Sequence, residues 1–168
     1  AAIASNSSSY GASQTSTIAI GYQAKAFNTY AVAIGRTAIA GGDTALALGE
    51  ATAYGSRSIA IGTTTSSGKG ASSTYAIAIG YNSASTGTGA VCLGPENTSS
   101  SQYSVAIGRS NTASGNYAAV IGSRDSTASA DNSFASGQEA KATIRGQKVH
   151  ASGQFAAKGD AQGSTFIL

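Results

Sequence analysis

A five-residue phrase recurs along this chain, and its spacing constrains the fold more than any other feature. Successive closing glycines lie 13 to 18 residues apart, most often 14. A short period of this kind is typical of a solenoid, in which each repeat forms one coil and stacks on the next. The copies read TIAIG at 17–21, AVAIG at 31–35, ALALG at 45–49, SIAIG at 58–62, AIAIG at 76–80, AVCLG at 90–94, SVAIG at 104–108 and AAVIG at 118–122.

Each repeat carries two patterns that predict strands. Within the phrase, bulky residues at positions two and four flank a small residue at position three, and this period of two predicts a strand. A small–x–small pattern follows, as at 24–26, and ends at a turn former such as Asn28 or Gly42. We therefore predict an all-β fold, a parallel β-roll (solenoid) of about 14-residue coils. Arg36 and Glu50, in successive coils, should form an exposed ion pair.

Both faces of the phrase strand are apolar, so we expect both to be buried. The bulky face is predicted to fill the roll core, as Ile18, Ile20, Val32, Ile34, Leu46, Leu48, Ile59, Ile61, Ile77, Ile79, Val91, Leu93, Val105, Ile107 and Ile121. The small face then needs a partner outside the chain, and its uniform smallness predicts close contact between identical rods. Its residues are Ala19, Ala33, Ala47, Ala60, Ala78, Cys92 and Ala106. The alternative is an exposed alanine face without a partner.

Composition argues against several functional classes. The net charge is +3 with no basic run, so no nucleic-acid partner is expected. No apolar stretch approaches the roughly 18 residues of a membrane span, so we expect no membrane insertion in this segment. The single Cys92 excludes an intrachain disulfide framework. No metal or cofactor motif is present, and we expect neither a metal nor a cofactor.

The iterated phrase, with small–x–small between its copies, closely resembles the YadA-like head repeats of trimeric autotransporter adhesins over about residues 1–137. The resemblance implies a left-handed roll, a side-by-side homotrimer, and an extracellular head that binds host cells or extracellular matrix. No heptads of a coiled-coil stalk, no membrane anchor and no signal are present, as expected of an excised head.

Residues 138–168 are predicted to be an irregular C-terminal cap or connector that continues into a further domain. Within them, 148–168 are similar to segments that follow such head repeats in phage tail-fibre and virion proteins. This similarity favours a phage tail fibre that attaches to a host over a bacterial surface adhesin. A passive spacer within a fibre remains an alternative that binds nothing.

The expected partner is a host-cell surface glycan or protein, and two features are candidates for contacting it. An insertion at 63–73 places Lys69 near a loop tip, where it would touch an acidic glycan or form a plain surface bulge. Tyrosines recur at two phases, and we expect aromatic patches that stack on sugar rings or seal seams between chains. They are Tyr30, Tyr75, Tyr103 and Tyr117 before the phrase, and Tyr22 and Tyr81 after its glycine.

No enzyme activity is expected, and no residue is assigned a catalytic role. Asp125 and Asp131 share one coil and are the only carboxylate pair to consider for a polysaccharide depolymerase, which needs two carboxyls within about 5–10 Å. His150 is expected to be a hydrogen-bonded structural residue, with a metal or anion site on a symmetry axis as the alternative. Cys92 replaces an alanine of the repeat and should behave as a small buried hydrophobe.

Overall fold

The computed structural model describes residues 2–3, 11–63 and 69–166, and none of these residues is helical. Their strands form two sheets, and successive strands of the chain alternate between them. Each pair of consecutive strands is therefore one coil of a parallel solenoid, which confirms the predicted all-β fold.

The 12-stranded sheet contains the recurring phrase. Its strands are β1 (Ala2–Ile3), β3 (Ile18–Ile20), β5 (Val32–Ile34), β7 (Leu46–Glu50), β9 (Ile59–Thr63), β11 (Ile77–Ile79), β13 (Val91–Leu93), β15 (Val105–Arg109), β17 (Ala119–Arg124), β19 (Phe134–Gln138), β21 (Lys148–Ser152) and β22 (Gln162–Thr165).

The 10-stranded sheet contains the small–x–small segments. Its strands are β2 (Gly11–Ala12), β4 (Lys25–Ala26), β6 (Ile39–Ala40), β8 (Thr52–Ala53), β10 (Gly70–Ala71), β12 (Ala84–Ser85), β14 (Thr98–Ser99), β16 (Thr112–Ala113), β18 (Thr127–Ala128) and β20 (Lys141–Ala142).

Parallel pairing places each residue of the phrase beside its own copy in the next coil. Ala19 pairs with Ala33, and Ile20 pairs with Ile34. The same registration continues along the stack and explains why the sequence repeats so closely. The predicted ion pair also forms, because Arg36 Nε lies 2.6 Å from Glu50 Oε1 in the next coil. Both side chains are partly exposed, so such a pair contributes about 0.2–1 kcal/mol.

The corners of the roll require left-handed backbone and close approach between coils. Gly35, which closes one phrase, has φ +136°, and a Cβ there would collide with the carbonyl oxygen of Gly49 in the next coil. The opposite corner, just before each phrase strand, is also left-handed but carries side chains such as Tyr30, with φ 60°. Non-glycine residues there are held in a conformation that costs about 1–2 kcal/mol each.

The interior of the roll is lined by small side chains, which reverses the predicted faces. Ala33 and Ala47 are fully buried, whereas 38% of Ile34 is exposed. The two sheets have strands of only a few residues joined by tight corners, and the space between them is too narrow for a column of Ile or Leu. Val120 is the largest fully buried side chain among the described residues.

Two sets of site residues are therefore corrected. The residues assigned to contact between chains lie inside the roll: Ala19, Ala33, Ala47, Ala60, Ala78, Cys92 and Ala106. The residues assigned to the roll core lie on the outer face of the 12-stranded sheet and are half-buried or exposed: Ile18, Ile20, Val32, Ile34, Leu46, Leu48, Ile59, Ile61, Ile77, Ile79, Val91, Leu93, Val105, Ile107 and Ile121.

Polar side chains replace alanine in the interior of the later coils, and they are hydrogen-bonded between coils. Asn97 and Asn111 are fully buried. The side-chain amide of Asn97 donates to the Gly108 carbonyl at 2.8 Å, and its Oδ1 accepts from the backbone N–H of Asn111 at 3.0 Å. Asn111 repeats this arrangement toward Ser123 and Ser126. Because these bonds link successive coils, the polar substitutions leave the stack intact.

The regular coils extend further than predicted, because β20 and β21 continue the two sheets beyond residue 137. The chain then reverses, and β22 pairs antiparallel with β21. The Gln162 side-chain amide covers the end of the other sheet: its Oε1 accepts from the Lys141 N–H at 2.8 Å, and its Nε2 donates to the Lys141 carbonyl at 2.9 Å. One segment thus caps both sheets.

The loop between β21 and β22 is organised by one carboxylate. Asp160 accepts hydrogen bonds from the backbone N–H groups of Ala157, Ala156 and Phe155 at 2.6–2.8 Å. These bonds hold the pKa of Asp160 below its ordinary value. The Phe155 ring projects from the loop and is 89% exposed.

Candidate functional site

A continuous apolar surface covers the outer face of the 12-stranded sheet, and we call it the apolar face. It consists of two parallel columns of Ile, Val and Leu from β3 to β15, one from the second and one from the fourth position of the phrase. Pairings such as Ile77–Val91 and Ile79–Leu93 keep each column in register. Ile18 remains 40% exposed and Ile34 38% exposed.

The apolar face changes character toward the C-terminal end of the roll. In β17 the register shifts, and Ile121 is followed in its column by Ser136 and His150. The neighbouring column ends in Phe134 and Lys148. One column thus stays apolar from β3 to β17 and the other from β3 to β19, and each becomes polar in the following coil. An exposed apolar strip of this length is unusual for a monomeric soluble protein and marks an interaction surface.

The tyrosines that precede the phrase lie in one corner column, between the end of the 10-stranded sheet and the start of the 12-stranded sheet. Tyr103 and Tyr117, in adjacent coils, stack with ring centroids 5.5 Å apart. Tyr75 accepts a hydrogen bond on its hydroxyl from Arg57 Nη1 at 3.0 Å, and the guanidinium carbon lies 5.6 Å from the ring centroid. Tyr30 stands apart, because Thr44 and Arg57 occupy the coils between it and Tyr75. Gly89 occupies the coil between Tyr75 and Tyr103, so of the predicted patch the described structure shows the stacked pair of Tyr103 and Tyr117.

The second predicted tyrosine patch does not form. Tyr22 and Tyr81 lie at equivalent corner positions, but the coils between them place Arg36 and Glu50 there. Each ring is exposed by about half. Although Tyr22 and Tyr81 occupy the same position of the repeat, they lie in coils that are not adjacent, so their rings do not form one patch.

The insertion is only partly described. Residues 64–68, where the predicted loop tip lies, are outside the described residues. Lys69 directly precedes β10 and is half-buried rather than fully exposed. It does not belong to the tyrosine column, so the structure does not combine it with the other predicted ligand-binding residues.

The two candidate carboxylates lie at opposite ends of β18 and have separate structural partners. Asp125 lies beside Arg124, with Nε and Oδ2 3.4 Å apart. Asp131 accepts from the backbone N–H and the side-chain amide of Asn116 at 2.8 and 3.2 Å. Because β18 separates them, the two carboxylates sit at different corners of the roll and do not face one another as an acid–base pair.

His150 and Cys92 both have hydrogen-bonding partners within the chain. His150 Nδ1 lies 3.1 Å from the Ser136 hydroxyl in the preceding coil, which is the predicted hydrogen-bonded arrangement. Cys92 is completely buried inside the roll and donates to the Ala84 carbonyl at 3.1 Å. Burial raises the pKa of the Cys92 thiol to about 12, so the thiol stays protonated and unreactive.

Metal-binding clusters and membrane-spanning helices are both absent from the described part of the chain. Residues 2–3, 11–63 and 69–166 contain no group of three or more His, Cys, Asp or Glu side chains placed to hold a metal ion. Nor do they include a helix with the length and apolar character needed to span a membrane.

Comparison with known proteins identifies the repeat. The family described as the YadA head domain repeat (2 copies) matches residues 12–38, 28–49, 40–65, 71–97, 99–124 and 125–143. These segments cover well over half of the chain and follow the coils one after another. A search of curated proteins found none that matches this chain.

Proposed function

Because the chain belongs to the family of YadA head domain repeats, we propose that it is the rod-shaped head segment of a trimeric attachment protein displayed outside the cell. The apolar face carries this proposal. It extends over many coils, it lies on one side of the rod, and nothing else in the described chain covers it. A second and a third copy of the same chain are the occupants that fit it.

Self-association through this face follows from its shape. The columns of Ile, Val and Leu run parallel to the rod and repeat at every coil, so two rods lying side by side meet at equivalent residues. The number three is the part of the proposal that we take from the trimeric adhesin heads whose repeats this chain shares. Three rods arranged around one axis bury three copies of the face and leave their 10-stranded sheets outward.

Attachment to a host-cell surface glycan or protein is the function we propose for the outward surfaces. The stacked coils present similar polar groups many times, and three chains multiply them again. Weak contacts repeated in this way add up to useful avidity without a deep pocket. We propose that the segment acts by binding and not by catalysis, because Asp125 and Asp131, the only candidate pair, face different corners.

The finer assignment that we propose is an attachment fibre of a virion. The similarity of residues 148–168 to segments of phage tail-fibre proteins supports it, whereas the YadA repeats are equally compatible with a bacterial surface adhesin. Identification of the neighbouring modules in the full-length gene separates the two: virion structural modules support the fibre, and an outer-membrane anchor overturns it.

The binding function is tested with fluorescently labelled trimer on intact candidate host cells. We expect saturable binding that unlabelled trimer displaces. A dissociated variant, Ile34→Asp, should lose at least tenfold in apparent affinity, because avidity is lost. Failure of the trimer to bind cells of any candidate host would leave the passive spacer as the function of this segment.

A further inference from the structure

We propose that neighbouring chains of the assembly pair at their corners, with arginines of one chain bound to tyrosines of the next. This proposal rests on the trimeric assembly proposed above and adds a contact at the edges of the apolar face. Two columns of residues flank that face. The tyrosine column precedes the phrase and includes Tyr30, Tyr75, Tyr103 and Tyr117, and the arginine column follows the phrase glycine and includes Arg36, Arg109 and Arg124.

The backbone keeps both columns in line along the rod. The Tyr117 N–H donates to the carbonyl of Gln102, which precedes Tyr103 in the neighbouring coil, at 2.9 Å. Arg109 and Arg124 are direct partners in the parallel pairing of β15 with β17. The register shift between these strands therefore leaves Arg124 in the arginine column.

The two columns carry matched residues, coil by coil. Each arginine of the arginine column belongs to a coil whose tyrosine column carries tyrosine, and the pairs are Tyr30 with Arg36, Tyr103 with Arg109, and Tyr117 with Arg124. In the described coils whose tyrosine column carries another residue, the arginine column carries no arginine, as at Gly89 and Pro95. This match is unexplained within one chain, because the two columns lie at opposite ends of the phrase strand.

Cyclic symmetry brings the two columns together. When three rods turn their apolar faces toward one axis, the end of each phrase strand lies beside the start of the neighbouring chain's phrase strand. Rotation about an axis parallel to the rods does not change height, so residues of the same coil meet. Arg109 of one chain therefore lies against Tyr103 of the next. Within one chain these two residues are separated by the length of β15, roughly 20 Å of extended backbone.

The side chains of the two columns are exposed and chemically complementary. Tyr103 is 48% exposed, and the Arg109 side chain is 66% exposed. Arg57 Nη1 donates to the Tyr75 hydroxyl at 3.0 Å within the chain, which is the pairing that we propose across the seam. Arg109 Nε lies 3.8 Å from Glu96 Oε2, so the carboxylate orients the guanidinium while its other N–H groups remain able to donate to a phenol oxygen.

Cross-linking of the full chain with a short bis-maleimide tests the seam, because the reagent is shorter than the distance between the two positions within one chain. We expect Cys92→Ala, Tyr103→Cys, Arg109→Cys to give covalent dimers and trimers on denaturing electrophoresis. Cys92→Ala removes the native thiol. Either new cysteine alone should give at least tenfold less product, because unlike columns meet at the seam. Tyr103→Cys with Arg36→Cys, five strands away in the sheet, is the matched control and should also give at least tenfold less.

Nitration of the wild-type chain by tetranitromethane is a second test that needs no substitution at the seam. Tyr103 and Tyr117 should react at least fivefold more slowly than Tyr54, which directly follows β8 of the outward 10-stranded sheet and is 54% exposed. In Ile34→Asp, which should separate the chains, this protection should disappear. If the cysteine variants fail to assemble, nitration of the wild-type trimer decides.

Two results would overturn the seam and leave the attachment function standing. One is a wild-type trimer whose Tyr103 and Tyr117 react as fast as Tyr54, and the other is a trimeric Tyr103→Cys, Arg109→Cys variant that gives no more product than its Arg36→Cys control. A wild-type chain that sediments as a monomer overturns both the seam and the trimeric assembly. Cross-linked trimers that bind no candidate host cells support the seam and reject the attachment function.

Discussion

Ala33 and Ile34 are consecutive residues of β5, yet Ala33 is completely buried whereas 38% of Ile34 is exposed. The larger apolar side chain is the one that faces outward. The same order holds at β3, where Ala19 is buried and Ile18 is 40% exposed. The roll is thus a thin structure with an alanine interior, and its outer Ile, Val and Leu side chains are buried only if another molecule covers them.

The narrow interior makes Ala47 intolerant of larger side chains. Ala47→Ile should destabilise the roll by about 1–3 kcal/mol or more, because the larger side chain does not fit in the narrow space between the two sheets. Urea denaturation measures this change. Thr52→Ile, on the outer face of the 10-stranded sheet, is the control and should shift stability by less than about 0.5 kcal/mol. Equal stability of the two variants would mean that the interior is wider than described.

The corner glycines should differ sharply in their tolerance of side chains. Gly35→Ala is expected to cost about 1–2 kcal/mol from left-handed backbone alone, with a further cost because Cβ meets the Gly49 carbonyl. Gly122 has φ +62°, and no atom lies within 4 Å of a Cβ placed there. Gly122→Asn should therefore be nearly neutral. Thermal denaturation compares them, and a melting temperature unchanged by Gly35→Ala would argue against this close packing of coils.

The buried thiol of Cys92 should be unreactive in the folded protein. Only the thiolate form of cysteine reacts. A pKa of about 12 keeps the Cys92 thiol protonated even at pH 10 in the folded protein, whereas in the unfolded chain the thiol ionises near pH 9. We therefore expect Cys92 to react rapidly with a maleimide at pH 8 and with iodoacetamide at pH 10 only after the protein is unfolded in urea. A Cys92→Ala, Ser100→Cys variant provides an exposed control that labels immediately. Rapid labelling of the folded native chain would place Cys92 outside the roll.

The Gln162 cap should protect the end of the 10-stranded sheet. Gln162→Ala removes both bonds to Lys141 and should increase hydrogen exchange at the Lys141 amide at least tenfold. An exposed strand edge also promotes pairing between molecules, so light scattering should detect end-to-end association. Gln154→Ala in the neighbouring loop is the control. Unchanged exchange in Gln162→Ala would mean that the side chain does not cap the sheet.

The sequence was sufficient for the repeat, the two strands per coil and the pair of Arg36 and Glu50, because each follows from local alternation and from stacking at a fixed period. The sequence was insufficient to predict which face of the phrase strand lies inside the roll. The alternating pattern predicts that Ala33 and Ile34 point to opposite sides of the strand, but only the width of the roll decides which of them points inward. The tyrosine column was predicted from phase, but its gap at Gly89 depends on which residues occupy the intervening coils.

The central claim is that the apolar face joins copies of this chain, and sedimentation of a matched pair of variants tests it most directly. Ile34 lies on that face, whereas Ile39 lies on the outer face of the 10-stranded sheet. We predict that the wild-type chain and Ile39→Asp sediment as trimers of the 16.4 kDa chain at micromolar concentration, and that Ile34→Asp dissociates. A compact wild-type monomer, or a trimer dissociated by Ile39→Asp and not by Ile34→Asp, would contradict the claim.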